Sequence, residues 1–136
     1  MVEVKITYEG QLRCKAVHGP SGQSILTDAP TDNMGKGEFF SPTDLVGTAM
    51  GTCMLTIMGI VANKHNIDMT GATANVVKEM ASAPARRIGT LKVVITVPAA
   101  LTDDQKKLLE NAAMGCPVHK SISHDVNIPI EFTWGK

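Results

Sequence analysis

The chain has no net charge to offer a polyanion. Thirteen basic residues balance thirteen acidic ones, and no run of like charge interrupts the balance. Nucleic-acid binding usually leaves a basic footprint, so no nucleic-acid partner is expected. The first residues, MVEVKITYEG, lack the basic and then apolar regions of a signal peptide, which makes a cytoplasmic location the expectation. Cysteine is sparse and odd in number, at three, so a disulfide framework is not expected and reduced thiols are the default. Cys116-x-x-His119 is half of a zinc pattern, with His124 and Cys53 available, but no second Cys-x-x-Cys or His-x-x-x-His accompanies it. No metal is therefore expected. A G-x-S-x-G nucleophile elbow is absent, as are internal repeats and low-complexity segments. A chain of 136 residues suits one domain, residues 1–136, and one of that size buries enough surface to need no staple.

The stretch around which the chain is organised is Ser41–His65, SPTDLVGTAMGTCMLTIMGIVANKH. Ser41 can cap a helix, Pro42 suits its first position, and Asp44 sits near the positive end of the dipole. From Leu45 to Ala62 there is no charge, and apolar side chains fall on every face. Such a helix is expected to be buried on all sides. A membrane span is the rival reading, and Gly47-x-x-x-Gly51 would suit one. Gly47, Gly51, Gly59, Thr48, Thr52 and Thr56 dilute the apolarity, however, and no Lys or Arg cluster flanks either end. A core helix with small residues at close backbone approaches is the better account, and no membrane partner is expected. Cys53 lies in the middle of this helix, either as a small hydrophobe or as a reactive thiol. Several of the eight methionines also lie here, where they fill gaps or shape an adaptable pocket.

Strict alternation over Val2–Glu9 predicts a half-buried strand, Glu9-Gly10 a turn, and Leu12–His18 a second strand closing a hairpin. Gln23–Asp28 reads as a third strand and Ala29–Phe40 as a loop. Beyond the helix, Ile67–Met80 reads as a strand broken near Gly71, and Ile88–Val97 as a β-branched strand ended by Pro98. Thr102 and Gln105 form a capping box for a second helix, with Gly115 as its C′ residue. Pro117 opens a short third helix to about Ser123, and Val126–Thr133 is a last strand whose Pro129 suggests an edge. Strands are grouped rather than alternating with helices, which predicts an α+β fold with antiparallel sheets around the long helix. One chain of this length would struggle to cover that helix, so a second subunit is expected.

Cys116 stands at the N-cap of the third helix, where free N–H groups and the dipole would lower a thiol's pKa. His119 and Lys120 follow it. Cys53 and Cys116 could form a redox pair: a thiolate attacks a peroxide oxygen, and the second thiol condenses with the sulfenic acid. That requires the two sulfurs to be close. Cys14, in the second strand, reads as structural, and nothing selects His18 or His65.

Ser41-Pro42-Thr43-Asp44-Leu45, then Cys53 in the apolar helix, then Gly115-Cys116-Pro117-Val118-His119-Lys120, together resemble the OsmC/Ohr family of hydroperoxide-resistance proteins. Thr27-Asp28-Ala29-Pro30 is similar to its OsmC-like branch. The resemblance implies an intertwined α+β homodimer with active sites at the subunit interface. It implies reduction of organic hydroperoxides to alcohols, with Cys53 peroxidatic and Cys116 resolving. It also implies an external dithiol reductant, of lipoyl type, and no bound cofactor. The family's Asn-Pro-Glu is Ser41-Pro42-Thr43 here, and its Gly-Arg-x-Gly turn is Gly19-Pro20-Ser21-Gly22. Thr43, Asp44, Arg13 and His119 are the candidates for supporting roles, with Lys36, Arg86 and Arg87 as other basic residues. Asp44 lies nine positions before Cys53, nearly on the opposite helix face. Those departures leave a second reading, a non-catalytic OsmC-like dimer that binds or senses a small apolar or redox-active ligand.

Overall fold

The N-terminal alternation builds a three-stranded antiparallel sheet in the computed structural model, which describes residues 1–136. Strand β1 (Val4–Gly10) pairs with β2 (Arg13–His18), and β2 with β3 (Ser24–Asp28). The first turn lies beyond the expected Glu9-Gly10. Gly10 pairs with Arg13, which leaves Gln11 and Leu12 as the loop, at φ 53° and 62°. Two positive φ values in a two-residue loop match the twist of the flanking strands. The register gathers Val4, Ile6, Tyr8, Cys14, Ala16 and Ile25 on one face, and Val4, Ile6, Tyr8 and Ile25 stay exposed.

After β3 a loop runs to Phe40 and contains one 3₁₀ turn, Thr31–Asn33. It is tied back to Asp28, whose N–H donates to the Phe40 carbonyl at 3.1 Å and whose carboxylate accepts from Glu38 N–H at 3.1 Å. Helix α1 (Pro42–Lys64) then begins as the sequence predicts. Ser41 Oγ accepts from Asp44 N–H at 3.1 Å, and Asp44 Oδ2 accepts from Ser41 N–H at 2.9 Å. This reciprocal pair satisfies two backbone donors at the helix start.

The chain divides into two compact units, Met1–Val46 and Gly47–Lys136. In the second unit, β4 (Thr73–Ala81) pairs antiparallel with β5 (Arg87–Ala100), and β6 (Ile130–Gly135) lies on the other side of β5. Helices α2 (Asp103–Met114) and α3 (Pro117–Ser121) connect β5 to β6. That crossover makes the β5–β6 pair parallel, where antiparallel pairing was expected throughout. β6 is an edge strand, as Pro129 suggested. β4 starts at Thr73 rather than Ile67, because the chain first turns through Asn66 (φ 54°) and Gly71 (φ 86°). β5 continues past Pro98, expected to end it. The register slips between Val97 and Ala100, so the missing N–H of Pro98 costs no ladder bond.

Gly47, Met50, Gly51, Met54, Met58 and Ala62 form the buried stripe of α1. Leu91, Val93, Ile95 and Val97 of β5, with Leu109, Ala113 and Cys116, are buried in the same unit. A Cβ placed at Gly51 would lie 3.0 Å from Val76 Cγ2 and 3.4 Å from Ala74 Cβ, so the small residues do mark a close helix–sheet approach. The helix is not buried all round, as its composition suggested. Thr48, Thr52, Thr56 and Ile60 are exposed, and Ala49, Cys53 and Ile57 are half-buried. A single chain covers one face of it. Helix α2 has its capping box, with Thr102 and Gln105 each accepting from the other's N–H. Gly115 is not the left-handed C′ residue expected; its φ is −85°, because the chain passes directly into the Cys116 cap of α3.

Candidate active site

Cys116 is fully buried at the N-cap of α3, and its Sγ accepts from the His119 N–H at 3.4 Å. The thiol of Cys53 lies near enough to raise its pKa. The two residues are remote in sequence, yet the fold brings them near each other. Cys53 itself is half-buried near the middle of α1, between the buried Met50 and Met54. All three cysteines are free thiols.

The cap was expected to lower the Cys116 pKa, but the structure raises it. Burial is the largest cause and the neighbouring Cys53 thiol the next. The N–H groups of His119 and Val118 act in the opposite direction and lose. Helix α3 has only five residues, so its dipole is small beside the cost of placing a charge in a site without water. The proton therefore stays on Cys116.

The other candidates have structural partners of their own. Asp44 is engaged with the Ser41 cap, and Thr43 Oγ1 lies 3.2 Å from Ser41 Oγ. Arg13 donates through Nε and Nη2 to the Asp28 carboxylate at 2.7 and 2.9 Å, and through Nη2 to Glu38 at 3.0 Å. Its guanidinium also lies over the Phe39 ring, 4.7 Å from the centroid. Arg13 is raised above its already high range, chiefly by Asp28, and Asp28 is held below the usual carboxylate range chiefly by Arg13. His119 meets the site through its backbone. His18 Nδ1 bonds Ser21 Oγ at 2.6 Å, and His65 Nδ1 bonds the Val61 carbonyl at 3.0 Å. Arg87 ties the Ala83, Ile88 and Asp125 carbonyls together. Lys36, Arg86, Lys120 and His124 are exposed, and Cys14 is half-buried opposite Tyr8 and Thr27. No three His, Cys, Asp or Glu side chains converge as a metal site would require.

Asp28 entered the sequence reading only as part of Thr27-Asp28-Ala29-Pro30 and Glu38 not at all, and neither was expected to hold Arg13. The cross-strand pairing of Arg13 with Asp28 was the available signal, and it becomes visible only once the β2–β3 register is known.

The chain is thus an α+β protein of two small sheets, with one thiol on a long helix and a second capping a short helix. The family model for OsmC-like protein matches residues 35–131, and the chain belongs to that family. It is similar to a Psychrobacter arcticus structure provisionally assigned to osmotic stress induction and detoxification response. The two are 47% identical with a TM-score of 0.92, over 97% of this chain and 96% of that one. The fold is also that of a Legionella pneumophila organic hydroperoxide resistance protein OsmC, at 14% identity, TM-score 0.79 and coverage of 98% and 96%. An OsmC-like protein from Mycoplasma pneumoniae matches at 13% identity, TM-score 0.84 and coverage of 100% and 98%. No curated protein matches the chain.

Proposed function

We propose that the protein reduces organic hydroperoxides to alcohols, with Cys53 as the attacking thiol and Cys116 as the resolving one. The observation that carries this reading is a half-buried thiol lying near enough to a fully buried one to act on it. The Cys53 thiolate attacks the outer peroxide oxygen and breaks the O–O bond. The alkoxide leaves and takes a proton, giving the alcohol, and Cys53 becomes a sulfenic acid. The Cys116 thiol then attacks the Cys53 sulfur, water leaves, and a disulfide joins the two. An external dithiol restores both thiols by exchange. The apolar side chains of α1 would favour a substrate with a greasy tail over hydrogen peroxide.

The working form in this reading is a homodimer. Thr52 and Thr56 on the exposed stripe of α1 donate their hydroxyls to the Thr48 and Thr52 carbonyls, at 2.8 Å each. Those two hydroxyls are satisfied within the helix, so that stripe can be covered by an apolar partner without stranding them. A second reading is a non-catalytic dimer that binds a small apolar or redox-active ligand. It is favoured by the engagement of Arg13 with Asp28 and Glu38, and of Asp44 with the helix cap.

The deciding experiment is a stopped-flow reaction of the reduced protein with cumene hydroperoxide and with hydrogen peroxide, counting thiols before and after. The peroxidase reading expects rapid loss of two thiols per chain, faster with the organic peroxide, and no turnover in Cys53→Ser. Reaction no faster than that of free cysteine would leave the binding reading.

A further inference from the structure

Resting on the peroxidase reading, we infer that the external dithiol attacks the Cys53 sulfur of the oxidised protein, so that the mixed disulfide forms on α1 and Cys116 is the thiol that leaves. Either sulfur of a disulfide can be attacked, and access selects between them. Cys116 is 0% exposed within its own chain. Covering by a second subunit can only remove surface, so assembly does not open this residue. Cys53 is half-buried, and its neighbours on the helix surface are the half-buried Ala49 and Ile57 and the exposed Thr56. Of the two cysteines, only the one on α1 offers a reagent any surface.

The surroundings of Cys116 suit a sulfur that departs and returns to its place. It caps α3, and its Sγ accepts the His119 N–H at 3.4 Å. That N–H lies in the first turn of the helix, where no carbonyl of the helix can meet it. Burial works against departure, because it pushes the Cys116 thiol up and a thiol of higher pKa leaves more slowly. Access outweighs this, since a sulfur without surface offers no line of attack at all.

Reduction then takes two exchanges. One thiolate of the dithiol attacks Cys53 Sγ, the Cys53–Cys116 bond breaks, and Cys116 leaves with the electron pair and takes up a proton. The second thiol of the reductant, as its thiolate, attacks the reductant's own sulfur in the mixed disulfide. Cys53 leaves as a thiolate, and the reductant departs as an intramolecular disulfide. Two electrons have passed to the protein. A buried, protonated Cys116 returns slowly to the mixed disulfide, because the thiolate is the nucleophile. A second thiol carried on the same reductant resolves it first, whereas a monothiol stalls there.

The test uses full-length protein with Cys14→Ser, so that only the two site thiols remain. Diamide, which joins neighbouring thiols without peroxide, oxidises it. The monothiol 2-mercaptoethanol is added and the exchange is stopped with acid at successive times. Free thiols are alkylated with N-ethylmaleimide in urea, and the peptides are mapped by mass. The expected early product carries mercaptoethanol on Cys53 and maleimide on Cys116; with dithiothreitol in its place, two maleimides are expected. Mercaptoethanol on Cys116 with maleimide on Cys53, or an equal mixture at the earliest times, overturns the inference. So does failure of diamide to join the two thiols.

A second measurement needs no disulfide. The two single-thiol proteins, Cys14→Ser with Cys116→Ser and Cys14→Ser with Cys53→Ser, are treated with 2,2′-dithiodipyridine. Cys53 is expected to react in the native protein and Cys116 only after urea unfolds it; comparable native rates also overturn the inference. Peroxide consumption by the Cys14→Ser parent separates the two claims. The expected mapping with no peroxide reduction removes the peroxidase and leaves the order of exchange. The reverse mapping with fast peroxide reduction removes the order and leaves the peroxidase.

Discussion

Adding one methyl group to α1 at either of two glycines should have opposite results, and the difference measures how closely the helix lies on its sheet. At Gly47 a new Cβ would sit 3.5 Å from Val76 Cγ1 and 3.7 Å from Leu91 Cδ2, which is ordinary contact. Gly47→Ala then keeps the helix-propensity advantage of alanine, about 1 kcal/mol. At Gly51 the same atom would sit 3.0 Å from Val76 Cγ2 and 3.4 Å from Ala74 Cβ, so the neighbours must yield. Overpacking costs about 1–3 kcal/mol, which cancels the propensity gain or exceeds it. Gly51→Ala is therefore expected to fall below Gly47→Ala by about 1–3 kcal/mol in urea unfolding at one fixed protein concentration. Val76→Ala removes the group that is struck. In that background Gly51→Ala should regain most of its loss, a coupling of about 1 kcal/mol. Equal shifts for Gly47→Ala and Gly51→Ala, or no coupling with Val76→Ala, would refute this account of the packing. Cys53 is two residues beyond Gly51, so Gly51→Val should also slow peroxide-driven disulfide formation, read by thiol counting.

Asp28 provides a pH test. Its carboxyl is held below the usual range, chiefly by Arg13, so its folded value lies below its unfolded one. The stabilisation is complete above the unfolded value of about 4 and is lost as pH falls through the folded one. Urea midpoints of the wild type and Asp28→Asn should differ at neutral pH and converge in acid; a constant gap would sink the argument. Thr102→Ala removes the α2 capping box and should cost about 1 kcal/mol by the same assay. In the proposed homodimer, Thr52→Glu places a charge on the exposed stripe of α1 and should shift sedimentation from dimer to monomer, whereas the exposed Lys136→Glu should not. Cys116→Ser should leave a Cys53 sulfenic acid that dimedone traps after peroxide treatment, visible as an added mass absent from Cys53→Ser.

What the sequence determined by itself is local. The Ser41–Asp44 and Thr102–Gln105 boxes are visible because a cap and its reciprocal partner lie three residues apart. The alternating strands, the uncharged helix and Cys116 before Pro117 are equally legible, since each depends on neighbours in the chain. The two cysteine motifs also led to the right family. Only the tertiary structure decided the rest. It brought Cys53 near Cys116, and it buried Cys116 so deeply that desolvation reverses the effect of its helix cap. It set Arg13 opposite Asp28, turning a candidate for a supporting role at the thiol into an anchor for the loop before α1. It made β6 parallel to β5 and carried β5 through Pro98 by a register slip. Composition states what a residue can do, but burial, register and the facing partner fix which of those things it does, and all three arise from contacts between segments far apart in the chain.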